Sequence, residues 1–135
     1  MREILFRAKQ NYTKEWLYGA VVKDGDECLI TVGEPDGLYK QKMTVVEEST
    51  VGQFTGLTDK NGKRVFEGDI IKHNNTHFVV EFSSNHLGFI CIDRKHKTRG
   101  GFANWRDGNW MKNVSSYIQI IGNIHDNPEL LEAKS

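Results

Sequence analysis

The residues of this chain best equipped for chemistry lie in RKHKTRGGFANWRDGNW, positions 94 to 110. Between Arg94 and Arg106 there are five formal positive charges, Arg94, Lys95, Lys97, Arg99 and Arg106, and no acid. Lys+Arg and Asp+Glu balance at 18 each over the whole sequence, so everything outside this segment carries a net −5. Phe102, Trp105 and Trp110 follow closely. Cations beside flat aromatic rings are what single-stranded nucleic acid binding uses, phosphate attraction together with base stacking. Arg94, Lys95, Lys97, Arg99, Trp105 and Arg106 are therefore the candidate contact residues, and Gly100-Gly101 gives the loop room to adapt. Two other readings stand beside it. The cations fit the solvated tip of a hairpin leaving LGFICID, with the aromatic residues burying one side in the core, and a basic tip also suits an acidic protein partner.

The other reactive residue types form no recognisable machinery. His73 and His77 in KHNNTHF have i,i+4 spacing, but they sit in a polar turn between strands and lack the Glu of a helical HExxH. Across a hairpin they could face one another. His86, His96 and His125 lie near turns or basic residues, and His125 beside Asp126 has no nucleophile at a triad-like spacing. Asp24 and Asp26 flank Gly25 as a hairpin tip does, without the final Glu of a calcium loop. Glu67 and Asp69 bracket Gly68, where turn chemistry accounts for them. There is no GxxxxGK[ST], and no GxGxxG opens a helix after a strand. The expectation is a protein that is not an enzyme, with no cofactor and no metal.

These residues have to be positioned by strands. Alternating or β-branched runs recur from end to end: EILFR, WLYGAVV, ECLITV, KMTVVE, VFEGDIIK, HFVVEF, LGFICID and YIQIIGNI. Turn residues punctuate them about every ten positions, which favours an all-β barrel or sandwich. With 135 residues, 38% of them hydrophobic, the chain is long enough to bury roughly two-thirds of its unfolded surface. No apolar run approaches the roughly 20 residues of a membrane span, and MREILFRAKQ is too short in apolar residues for a secretory signal. We expect a cytoplasmic protein with no membrane contact. Cys28 and Cys91, each inside an apolar strand-like run, fit reduced buried thiols.

Local signals are sharpest in VGQFTGLTDKNGKRVFEGDII, residues 51 to 71. Asn61-Gly62 predicts a hairpin with a type I′ turn, since both residue types tolerate positive φ. Asp69 before Ile70-Ile71 is placed to accept hydrogen bonds from nearby backbone amides. At the other end, Asn127-Pro128-Glu129 predicts a helix of about two turns, with Asn127 as N-cap and Leu130 and Leu131 folded back on the barrel or a neighbouring subunit. The boundary best supported lies near residue 50, giving 1–50 as an amino-terminal β segment packing on 51–135. Four short strands alone form a marginal unit with open edges, which predicts self-association.

MREILFRA at the start, VGQFTGLTDKNGKRVFEGDII in the middle and IGNIHDNPELL at the end resemble, in that order, the YopX family of phage and prophage proteins. The resemblance spans most of the chain and is weakest over 10–50 and 83–115. It implies an all-β protein of small strand-rich barrels, SH3-like in the carboxy-terminal part, with a short terminal helix. It implies no established activity and brings no catalytic or binding residue. Gly52, Gly56, Asp59, Gly62, Gly68, Asp69, Gly122 and Asn123 are the conspicuous shared positions. The expectation that follows is a phage-encoded binding or assembly protein of a bacterial host cell, with itself or a host or phage protein as partner. The alternative is a nucleic-acid-binding accessory of phage replication or gene regulation.

Overall fold

A computed structural model describes residues 4–32, 42–73, 75–84, 87–93, 98–101 and 117–131. Among them the regular structure is antiparallel sheet with short 3-10 turns, as the strand-length apolar runs require. The chain divides into two compact units, Met1–Phe54 and Thr55–Ser135.

The first unit holds β1 (Phe6–Lys9), β2 (Trp16–Asp24), β3 (Glu27–Val32) and β4 (Lys42–Val45) in spatial order β4-β3-β2-β1. β1 also pairs with the first residues of β5 (Gly52–Thr58), Phe6 opposite Gln53 and Arg7 opposite Gly52. Alternation sets the two faces. Ala8, Cys28, Ile30 and Val46 are buried together, with Leu17, Val21 and Val51 packed against them. Asp24 pairs with Glu27 around Gly25, whose φ of 61° at the first central position suits a two-residue hairpin turn. The outer edge of β4 is met at its carboxy-terminal end. Val46 N donates to Cys28 O while Val46 bridges to Gln10, and Glu47 N donates to Lys9 O at 2.9 Å, so the end of β4 closes back on β1. The open edges expected of four lone strands are thus partly used within the unit itself. The buried Thr50 hydroxyl secures the closure, accepting from Lys9 N at 2.8 Å and donating to Glu47 O at 2.7 Å.

The second unit continues from β5 into β6 (Arg64–Phe66), β7 (Asp69–His73), β8 (Thr76–Ser83), β9 (Gly88–Asp93), β10 (Thr98–Gly101) and β11 (Gln119–Asn123). Five of these form a sheet in the order β10-β9-β8-β7-β11. Val65, Ile71, Val80, Cys91 and Ile118 make its core, with Leu57, Phe78, Phe89 and Ile120 against them. Ile70 and Val79, paired across β7 and β8, are also fully buried, so both faces of those two strands are covered. β11 pairs with β7 through a bulge between Ile120 and Gly122.

Two local expectations change. In the loop of the β5–β6 hairpin Gly62 has positive φ, at 81°, and Asn61 does not. Gly62 N donates to Asp59 O at 3.0 Å and Asp59 N to Lys63 O at 2.7 Å, so the loop is Lys60-Asn61-Gly62, a type I turn ended by a left-handed glycine rather than a type I′ turn. The carboxylate of Asp59 is the reason, as shown below. At the carboxy-terminal end Pro128–Leu131 is a 3-10 turn, and the rest of the expected helix lies outside the described residues.

Candidate functional site

Of the basic and aromatic candidates, Arg94, Lys95, Lys97, Trp105 and Arg106 lie outside the described residues. Arg99 is placed by register alone: β10 pairs with β9 through Thr98–Asp93, Arg99–Ile92, Gly100–Cys91 and Gly101–Ile90. Asp93 and Thr98, the residues that flank positions 94–97, are paired.

Two buried carboxylates of the second unit, Asp59 and Asp69, are committed to the backbone. Asp59 is buried, and its Oδ1 accepts from Asn61 N and Lys63 N, both at 2.9 Å, while Oδ2 accepts from Ile120 N at 3.0 Å. Burial raises its pKa, but those three N–H groups and the Lys63 charge outweigh it and hold the carboxyl below the ordinary value. Asp69, also buried, accepts from Phe66 N at 2.7 Å and so fixes the turn that carries Gly68 at φ 92°. That is the backbone role its sequence context indicated.

His73 pairs with Thr76 and His77 with Lys72, which puts the two imidazoles on opposite faces of the β7–β8 hairpin. They do not meet. His77 Nδ1–H donates to Leu130 O at 2.9 Å, tying the terminal 3-10 turn to β8, and His73 lies edge-on to Tyr117 with ring centroids 6.1 Å apart. Among the described residues no three His, Cys, Asp or Glu side chains group as a metal site would need. Near His125 the organising group is Asn123. Its Oδ1 accepts from His125 N and Asp126 N, and its Nδ2 donates to Asp126 Oδ2 at 3.2 Å. Asn127 does not cap with its side chain. Its backbone O accepts from Leu130 N, while its Oδ1 reaches back to Asn123 N at 3.2 Å. Cys28 and Cys91 are buried thiols outside any disulfide; burial raises both, Cys91 to about 12.

The surface that sequence reading passed over is one face of the first sheet. Cross-strand pairs place Arg7 beside Tyr18 and Lys9 beside Trp16, then Ala20, Thr31 and Met43 in one row and Val22, Leu29 and Val45 in the next. The Arg7 guanidinium lies 4.6 Å from the Trp16 ring centroid and Lys9 Nζ 5.5 Å from it. Tyr18, Val22 and Met43 remain 49%, 42% and 50% exposed. Their signal was the alternation within WLYGAVV, ECLITV and KMTV. Each run alone shows two possible faces, and only the register shows that these apolar residues adjoin.

The model of the family described as YopX protein matches residues 5–132, through both units. The chain belongs to the YopX family. The crystal structure of protein EF1440 from Enterococcus faecalis is similar to this YopX chain, with 24% identity, a TM-score of 0.56, and coverage of 98% of this chain and 100% of that one. At that identity the likeness speaks for the fold alone. No curated protein matches the YopX chain. Of the positions conspicuous in the sequence, Asp59, Gly62, Gly68, Asp69 and Asn123 fall in the turns and clasps just described, Gly122 lies at the bulge of β11, and Gly52 and Gly56 lie within β5.

Proposed function

We propose that this YopX-family chain is a phage- or prophage-encoded protein of the bacterial cytoplasm that works by binding rather than catalysis, through protein–protein contacts that include self-association. The supporting observation is the exposed apolar face of the first sheet, where Tyr18, Val22 and Met43 stand over Ala20, Leu29 and Val45 on three adjacent strands. Exposed apolar side chains that adjoin, rather than scatter, mark interaction surfaces. The occupant we favour is a second copy, because an antiparallel sheet face can pack on itself about a two-fold axis. The non-catalytic reading is supported by the use of the buried carboxylates Asp59 and Asp69 to hold backbone amides. No helix among the described residues is long and apolar enough to cross a membrane.

Sedimentation velocity at micromolar concentration tests this. The wild type is expected to sediment above monomer mass, and the Val22→Lys, Met43→Glu double variant as a folded monomer. A wild type that is strictly monomeric overturns the assembly reading.

A second reading is favoured by the distribution of charge. Residues 1–54 hold seven Lys+Arg against nine Asp+Glu, and residues 55–135 hold eleven against nine, with the excess in Arg94, Lys95, Lys97, Arg99 and Arg106. If these cations grip phosphates beside Trp105, binding to single strands weakens by roughly 10² to 10³ between 50 and 200 mM salt. Unchanged fluorescence anisotropy of labelled single strands at low salt removes this reading and leaves the first untouched.

A further inference from the structure

The tip of the β5–β6 hairpin presents Asn61-Gly62 to solvent. Asn-Gly is the dipeptide in which the main chain most readily attacks its own side chain, because glycine has no Cβ to obstruct the approach. The Gly amide nitrogen bonds to the Asn Cγ, the Cγ–Nδ2 bond breaks, and the amide proton departs with ammonia, leaving a cyclic succinimide. Water then opens the ring at either carbonyl to give aspartate or isoaspartate.

In this protein the attacking nitrogen is occupied. Gly62 N donates to Asp59 O at 3.0 Å, and the amides on either side, Asn61 N and Lys63 N, donate to Asp59 Oδ1 at 2.9 Å. Attack requires Gly62 N to lose its proton and the peptide to rotate towards Asn61 Cγ, and both movements break this set of bonds. The clasp is not confined to the loop, since Asp59 Oδ2 holds Ile120 N in β11 and Lys60 N donates to Ile118 O. We propose that Asn61-Gly62 is a self-modification site held shut by Asp59, reacting only when the turn opens. The conversion runs one way. Aspartate at position 61 sets a second carboxylate close to that of Asp59, and isoaspartate adds a methylene to the main chain, moving Lys63 N out of register with Asp59 Oδ1. Either product keeps the turn from closing again as before.

The test follows the one-dalton mass gain of the intact protein at mildly alkaline pH, with the site located by mapping that avoids trypsin, because Lys60 and Lys63 flank it. Folded wild type is expected to convert at least about tenfold more slowly than wild type in urea, the ratio reporting the fraction of open turn. Equal rates overturn the proposal. Asp59→Asn, which keeps an oxygen for Asn61 N and Lys63 N but loses the acceptor for Ile120 N, is expected to convert faster than wild type while folded. A folded Asp59→Asn with the wild-type rate overturns the role of Asp59. If that variant does not fold, amide exchange in wild type decides, with Gly62 and Lys63 expected to be protected. Exchange at free-peptide rates at those two amides overturns it.

Discussion

Asp59 concentrates three hydrogen bonds on one carboxylate, and each is stronger for being charge-assisted. Its folded pKa lies below the unfolded value, so its contribution to stability is complete above the unfolded pKa of about 3.9 and is lost as pH falls through the folded one. Asp59→Asn is therefore expected to lower stability by about 1.5 to 3 kcal/mol at neutral pH and to flatten the acid limb of the pH profile, measured by urea titration at neutral pH and near pH 3. An unchanged acid limb would show that the carboxylate is not ionised in the fold. Gly62, at φ 81°, is the other fixed point of this turn. Gly62→Val places a β-branched side chain in the left-handed region and is expected to cost at least about 1 kcal/mol, seen as a lower melting temperature. There is open space around its Cβ position, so the cost is conformational and not a clash. The hairpin was legible from Asn61-Gly62. Its turn type was not, because the choice belongs to Asp59, whose bond to Ile120 spans 61 residues that no local pattern connects.

At the scale of elements, alternation located the strands well, and the run VFEGDIIK separates into β6 and β7 at Gly68 as its turn residues indicate. The carboxy-terminal element was less legible. Asn-Pro-Glu is a sound helix start, yet the Asn127 side chain is drawn back to Asn123 N by the bulged end of β11, and a 3-10 turn follows. This geometry explains Gly122, whose added Cβ would stand 2.5 Å from Asn127 Oδ1. Gly122→Ala is expected to destabilise by about 1 to 3 kcal/mol, as overpacking does. In an Asn127→Ala background Oδ1 and Cγ are removed and only the residue-127 Cβ, 2.9 Å away, still obstructs, so the same substitution should cost less. A thermodynamic cycle over the four proteins measures the difference, and strict additivity would refute the contact. The candidate site divides along similar lines. The basic and aromatic residues of 94–110 were conspicuous in sequence, whereas the face of Tyr18, Val22 and Met43 needed the pairing of three strands before it could be seen.

For the whole molecule, the two cysteines give a simple probe of integrity. Cys28 belongs to the core of the first unit and Cys91 to that of the second, and burial raises both thiols. Neither should react readily with a thiol reagent in the native protein, and both should in urea, since the thiolate is the reactive form. Fast labelling of Cys28 alone under native conditions would mean that the first unit opens independently of the second. The division between the units also bears on biosynthesis. β5 supplies Gly52–Phe54 to the first unit and Thr55–Thr58 to the second, so the boundary falls inside a strand and not in a linker. A nascent chain that has left the ribosome only as far as Glu48 has every strand from β1 to β4 but not the β5 residues, Gln53 and Gly52, that pair with Phe6 and Arg7 on the other side. Until translation advances a few codons further, the edge of β1 at Phe6 and Arg7 is bare, and this is the interval in which neighbouring chains on one polysome could join by their edges.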